Sequence, residues 1–263
     1  LPYAILLFSG IKSRFYLQFV LLLILAITLF GILVSGNRMP LFFAIFALLL
    51  IFLFEKKLRK LIGSAFIIFF LSFSFLLKTN DETYNHFHEF QNKSSEFISY
   101  FQGKFSASGN IIVKNVYIKE FESGISTWHQ NKTFGGGLKS FYFHCSNIEK
   151  DYMVKYIGSC NSHPHNYYLE ILASLGIVGF SLLISIFSMI FIKSINFTHS
   201  LKTSYQIQKI LIPFFIIFIL EIFPLKTTGS FFTTLTGNFL FIILAFIVGL
   251  IELNKIKSNY EKK

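Results

Sequence analysis

Apolar residues come in long runs along this chain, separated by short polar and basic connections, and that pattern predicts membrane-spanning helices. The runs are Leu17 to Ser35, Met39 to Phe54, Leu61 to Leu77, Asn166 to Ile192, Ile210 to Leu225 and Gly237 to Leu253. A spanning helix needs roughly 20 apolar residues, so each run covers most or all of a bilayer. Leu1 to Gly10 reads as the tail of one more hydrophobic helix, and with Leu1 as the first residue, further membrane helices are expected upstream.

Between Leu77 and Asn166 lies a long polar stretch, Lys78 to His165. Its first part, Lys78 to Ser108, is expected to be partly helical, while Asn110 to Lys119 alternates in polarity and predicts a short strand. The expected organisation is therefore transmembrane helices over residues 1–77, the first of them partial, and a large extramembrane loop over 78–165. Transmembrane helices follow over 166–253, with a tail over 254–263. The fold class is an all-α polytopic membrane protein.

Composition agrees. Hydrophobic residues make up 53% of the chain and phenylalanine alone contributes 36, which excludes an ordinary soluble domain. The net charge of +11 is mostly a signal of topology, not a nucleic-acid footprint. Lysine and arginine are retained on the cytoplasmic side, and they cluster on alternate connections: Lys12 and Arg14; Lys56, Lys57, Arg59 and Lys60; Lys193, Lys202 and Lys209; and Lys255 to Lys263. The opposite, extracytoplasmic face then carries Arg38, the long loop, His165 and Lys226.

Cys145 and Cys160 both fall in the loop. In an oxidising compartment such a pair is a disulfide candidate, worth roughly 3 kcal/mol in the chain-entropy model for a segment of this length. Two free thiols, or a zinc site drawing on His144, His163 and His165, are the alternatives.

The chemistry-bearing residues lie at the predicted membrane surface. His163-Pro164-His165-Asn166 opens an otherwise apolar run, and a histidine titrates close enough to neutrality to move protons there. Pro164 is tolerated in a first helical turn and Ser162 is a candidate cap, so the free amides of that turn form a candidate anion site. Glu170, further along the same helix, requires a polar partner or a wet cavity, a structural ion pair being the simplest. Gly176 and Gly179 read as packing positions that let another helix approach. Arg38 stands on the face that positive-inside statistics disfavour; it is either a bidentate phosphate ligand or an interfacial residue pairing with headgroups. Gly135-Gly136-Gly137 followed by Lys139 is either an anion cradle or a flexible turn with a solvated lysine.

Taken together, these segments resemble the O-antigen ligase and O-antigen polymerase superfamily of bacterial envelope glycosyltransferases. His165-Asn166 with Gly176 and Gly179 is similar to its signature, and Gly36-Asn37-Arg38 is similar to its arginine-bearing helix start. Phe134 to Phe141 is similar to the glycine-rich turn of its periplasmic loop, and Pro224 to Phe232 to a segment of polymerase-type members. The resemblance runs from about Leu17 to Leu250. Two departures stand out. Phe42 takes the place of a leucine, and the loop has no arginine, with Tyr142 where polymerase-like relatives carry one, so that Lys139 is left to supply a second charge.

The resemblance implies a GT-C-like helix bundle in the bacterial inner membrane, with the large loop periplasmic. It implies transfer of a glycan from undecaprenyl pyrophosphate to an acceptor sugar hydroxyl, with inversion and without a metal or other cofactor. His165 would be the catalytic base, while Arg38, Lys139, His163 and Asn166 would bind substrate. The implied partners are the lipid-linked glycan, an acceptor glycan or lipid A core, membrane lipid and other envelope polysaccharide assembly proteins, with no nucleic acid. A polymerase is the leading expectation. A ligase, a protein oligosaccharyltransferase, a flippase and a non-catalytic membrane scaffold are the alternatives.

Overall fold

A computed structural model describes residues 15–36, 38–101, 116–145, 160, 162–199, 205–227 and 229–260. Every regular element among the described residues is helical: α1 (Phe15–Val34), α2 (Arg38–Phe54), α3 (Arg59–Thr79), α4 (Asp81–Phe101), α5 (Val116–Gln130), α6 (Ser140–His144), α7 (Tyr167–His199), α8 (Tyr205–Glu221) and α9 (Thr234–Tyr260). The runs Lys56–Thr79, Tyr167–Thr198 and Leu235–Lys257 are long and apolar enough to cross a membrane, and Gln18–Val34 and Arg38–Phe54 are shorter apolar helices. The chain is an all-α polytopic membrane protein. The apolar tail at Leu1 to Gly10 lies outside the described residues.

The chain divides into two compact units. The first comprises Leu1–Phe90, Phe191–Ile222 and Ile243–Lys263. Its core is a stripe on α1, Leu21, Leu25, Leu29 and Leu33, spaced four apart so that the side chains form one ridge. Ala47, Leu48 and Ile51 of α2, Ile62, Ala65 and Phe69 of α3, and Ile212 and Ile216 of α8 fill the facing grooves. Large apolar residues also point outward from the same helices, among them Ile27, Leu53, Ile67 and Leu71. Lipid can cover such side chains, which water would not favour. At the end of α2, Arg59 donates from Nε to the Phe52 carbonyl at 2.9 Å, with its guanidinium 5.4 Å from the centre of the Phe52 ring. This cation satisfies a carbonyl that the helix itself leaves open.

The second unit comprises Gln91–Ile190 and Phe223–Ile242. The described part of the expected strand is helical. Val116 to Lys119 begin α5, and residues 110–115 lie outside the described residues. The face that α5 buries carries Glu120, Ser123 and Thr127 beside Ile118, so its helical period is written in polar residues. A search for apolar periodicity sees only the local alternation instead. The apolar run expected to continue to Leu225 leaves the helix after Glu221, because Pro224 has no amide to give and biases its predecessor away from helical dihedrals.

Candidate functional site

Helix α7 begins later than the sequence implies. Its cap is Asn166, whose Oδ1 accepts hydrogen bonds from the amides of Tyr168 at 3.0 Å and Leu169 at 3.2 Å. Ser162 instead pairs with His163 Nδ1 at 2.9 Å, and Pro164 is buried ahead of the helix. Asparagine is among the strongest N-caps because its short side-chain amide reaches the second and third amides of the helix. Two of the N–H groups expected to hold an anion are thereby satisfied from within. Asn166 also donates from Nδ2 to the Pro224 carbonyl at 2.7 Å, fixing the residues that follow α8 against the start of α7.

That cap leaves His165 in a left-handed conformation, with φ of 48°. Non-glycine residues seldom adopt it, and the cost of order 1–3 kcal/mol is tolerated mainly where surrounding contacts hold the residue in place. The His165 ring lies 4.2 Å from that of His163. Its Nε2 is 3.7 Å from Oε1 of Glu120; the Glu120 side chain is 5% exposed and that of His165 39%. On α5, Glu122 is half buried, and desolvation raises its pKa above the usual carboxylate range.

Glu170 finds a hydroxyl and an amide in place of the expected ion pair. Its carboxylate accepts a short hydrogen bond from Ser230 Oγ and another from the Phe231 amide at 2.5 Å. Tyr167 meets the Phe231 ring edge-on, with centroids 5.5 Å apart. Pro224, Ser230 and Phe231 therefore close over the first turns of α7.

The glycine-rich turn is spent on the protein's own backbone. At Gly176, φ is 63° and ψ −167°, which interrupts α7 and separates Ala173 and Ser174 from the amides they would otherwise accept. The turn fills the gap. Gly136 donates to the Ala173 carbonyl at 2.9 Å and Gly137 to Ser174 at 3.0 Å. In return, Ile177 and Val178 donate to the carbonyls of Lys132 and Thr133 at 2.9 and 3.2 Å. Ser140 Oγ adds a bond to the Ala173 carbonyl at 2.8 Å. A Cβ on Gly176 would lie 2.3 Å from the Thr133 oxygen, so what this glycine admits is a loop and not another helix. A Cβ on Gly179 would meet the Leu175 side chain of the same helix at 2.3 Å. The amides of Gly136 and Gly137 are consequently given to α7 and not to an anion, while Lys139, with φ of 61°, stands exposed beyond them.

Cys145 and Cys160 form a disulfide with a Cα–Cα distance of 5.7 Å, and Cys145 is buried against Phe141. Neither sulfur is then available as a thiolate ligand. Among the described residues no cluster of three or more potential metal ligands occurs.

Arg38 belongs to the first unit, where it opens α2. Its Nη2 bonds to Glu89 Oε2 at 2.9 Å, and its Nε is buried without a hydrogen-bond partner. It lies on the wall of a cavity of about 260 Å³ whose remaining lining is largely apolar, including Ile32, Leu41, Phe42, Ile45, Phe69 and Phe73, with Thr83 and His86 also present. Phe42, which departs from the leucine of the resemblance, is one of these wall residues.

Of the residues singled out by sequence, His163, His165 and Asn166 are thus brought together on one segment, Lys139 lies at the end of the docked turn, and Arg38 edges its own cavity. Glu120 was not legible beforehand. An acid in a mixed-polarity stretch carries no local mark of the histidine that it will meet 45 positions later. The family model described as O-antigen ligase matches residues 21–184. No curated protein and no solved structure matches the chain.

Proposed function

Because this chain belongs to the O-antigen ligase family, whose members are glycosyltransferase-like enzymes acting on lipid-linked glycans, we propose that it is an inverting transferase using an undecaprenyl-pyrophosphate donor. On this reading it works at the periplasmic face of the inner membrane and extends a surface polysaccharide as a polymerase. The distribution of lysine and arginine supports that membrane side.

The observation that carries the reading is the cavity edged by Arg38. An isoprenoid diphosphate is an apolar chain ending in a multiply charged group, and here apolar walls meet a guanidinium. Arg38 Nη2 is held by Glu89, while Nε remains an unsatisfied donor. Arginine presents paired donors that suit phosphate oxygens, and they stabilise charge as it develops on a departing pyrophosphate.

His165 serves the acceptor. The acceptor hydroxyl oxygen attacks the anomeric carbon as the bond from that carbon to the pyrophosphate oxygen breaks. The hydroxyl proton passes to the His165 imidazole, and lipid pyrophosphate leaves with the bonding electrons. General-base assistance of this kind is worth roughly 10²- to 10⁴-fold. Asn166 positions the histidine through the helix cap.

The test is to give the purified protein a defined lipid-linked repeat unit, with and without lipid A core, and to analyse the products. Longer lipid-linked glycan in the absence of core supports the polymerase; glycan joined only to core identifies a ligase. Movement of the donor across a bilayer with no new glycosidic bond would refute transfer altogether.

A further inference from the structure

We infer that Glu120 is the positioning residue for His165, holding the imidazole so that its other nitrogen faces the acceptor hydroxyl. The inference rests on the reading of His165 as the acceptor-side base.

Three observations bear on it. First, α5 is seated against the histidine segment at a glycine: a Cβ on Gly124 would meet Leu169 Cβ at 3.1 Å and Pro164 Cβ at 3.4 Å. Those contacts flank His165 on both sides along the chain. Glu120 lies four residues before Gly124, one turn back on the same face, so the helix register delivers its carboxylate to the ring. Second, Glu120 is only 4% exposed, and a buried carboxylate is costly unless it meets a donor or a cation. The His165 ring that reaches it is half-exposed, and that exposure leaves His165 accessible to a substrate. Third, His165 is held at a positive φ, a conformation that persists mainly where surrounding contacts fix the residue.

The contact also assigns the nitrogens. With Nε2 the nitrogen turned to Glu120 Oε1, at 3.7 Å, Nδ1 is left as the atom to accept the hydroxyl proton. At this separation the pair is an electrostatic contact, not a hydrogen bond. Once Nδ1 takes the proton, the ring becomes a cation and the carboxylate beside it is stabilising. No proton moves to Glu120; its charge acts on the transition state and not on the resting enzyme. His163, whose ring centre is 4.2 Å from that of His165, keeps its Nδ1 on Ser162 Oγ.

The experiment is steady-state transfer kinetics for Glu120→Gln, Glu120→Asp, His165→Asn and the Glu120→Gln/His165→Asn double variant in the full chain, with thermal unfolding in detergent as a check on folding. Glu120→Gln is expected to lower kcat about 10- to 100-fold, the range for losing a charged partner, with KM for the lipid-linked donor unchanged. Glu120→Asp restores part of the rate, and adding Glu120→Gln to His165→Asn costs nothing further. A Glu120→Gln enzyme that loses stability but not kcat, or whose loss adds in full to that of His165→Asn, overturns the inference while leaving the base reading intact. Full activity in His165→Asn would instead remove the reading on which it depends.

Discussion

Asn166 ties the start of α7 to Pro224, its Nδ2 donating to the proline carbonyl at 2.7 Å while its Oδ1 caps the helix. One side chain thus fixes both the helix that follows the histidines and the segment that closes over it. Asn166→Asp keeps the capping oxygen and loses the donor, whereas Asn166→Ala loses both. The alanine variant is expected to be less stable by about 1–2 kcal/mol, within the range for an N-cap, and the aspartate variant to fall between it and the wild type. Thermal unfolding in detergent orders the three.

The left-handed backbone at His165 makes the choice of substitution matter. Asparagine accepts that conformation more readily than alanine does. His165→Asn should therefore lose less stability than His165→Ala while transfer falls by roughly 10²- to 10⁴-fold. His165→Ala should lose transfer and some stability together. Parallel measurements of product and Tm separate chemistry from strain.

Arg38→Lys keeps the charge and removes the planar fork. If the guanidinium grips pyrophosphate through two oxygens, kcat/KM with purified lipid-linked donor is expected to fall about tenfold or more, corresponding to one lost charge-assisted bond. An unchanged kcat/KM would show that charge alone suffices. Glu89→Gln, which removes the carboxylate now bonded to Arg38, should leave donor binding intact or improve it.

Gly176→Ala puts a methyl group 2.3 Å from the Thr133 carbonyl oxygen and places alanine at φ of 63°. The backbone conformation alone, in a region populated almost only by glycine, costs about 1–3 kcal/mol, before the clash. The expected result is a lower Tm and proteolysis near the Thr133-to-Leu138 turn. Gly63→Ala is the matched control, since nothing lies within 4 Å of the added carbon.

Replacing both Cys145 and Cys160 with serine is expected to cost about 3 kcal/mol through the larger freedom of the unfolded chain. Chemical denaturation, with and without reductant, measures it; reductant should have no effect on the double variant.

What could be read from the sequence and what could not follow a physical division. The membrane helices were legible because lipid-facing positions such as Ile27 and Ile67 stay apolar, so each run is hydrophobic on all sides. Arg38 was legible as a cation on the disfavoured side of a predicted topology. The docking of Gly136 and Gly137 on α7 was not, because backbone-to-backbone bonds leave no side-chain signature; three glycines announce a close approach without naming the partner. The start of α7 was misplaced because Ser162 reads as an acceptable cap ahead of Pro164, whereas Asn166 makes the capping bonds and Ser162 pairs with His163. Glu120 escaped because α5 buries its polar face.

The interruption at Gly176 means that α7 and the turn draw on a shared pool of donors and acceptors. In an unbroken helix, Ile177 and Val178 would bond to Ala173 and Ser174; here those carbonyls belong to Gly136 and Gly137, and the amides to Lys132 and Thr133. Straightening the helix would expel the turn, and inserting the turn bends the helix, so the two arrangements are mutually exclusive. The membrane-crossing rod and the polar loop therefore behave as a single mechanical element, and a pull on either would be felt at the other.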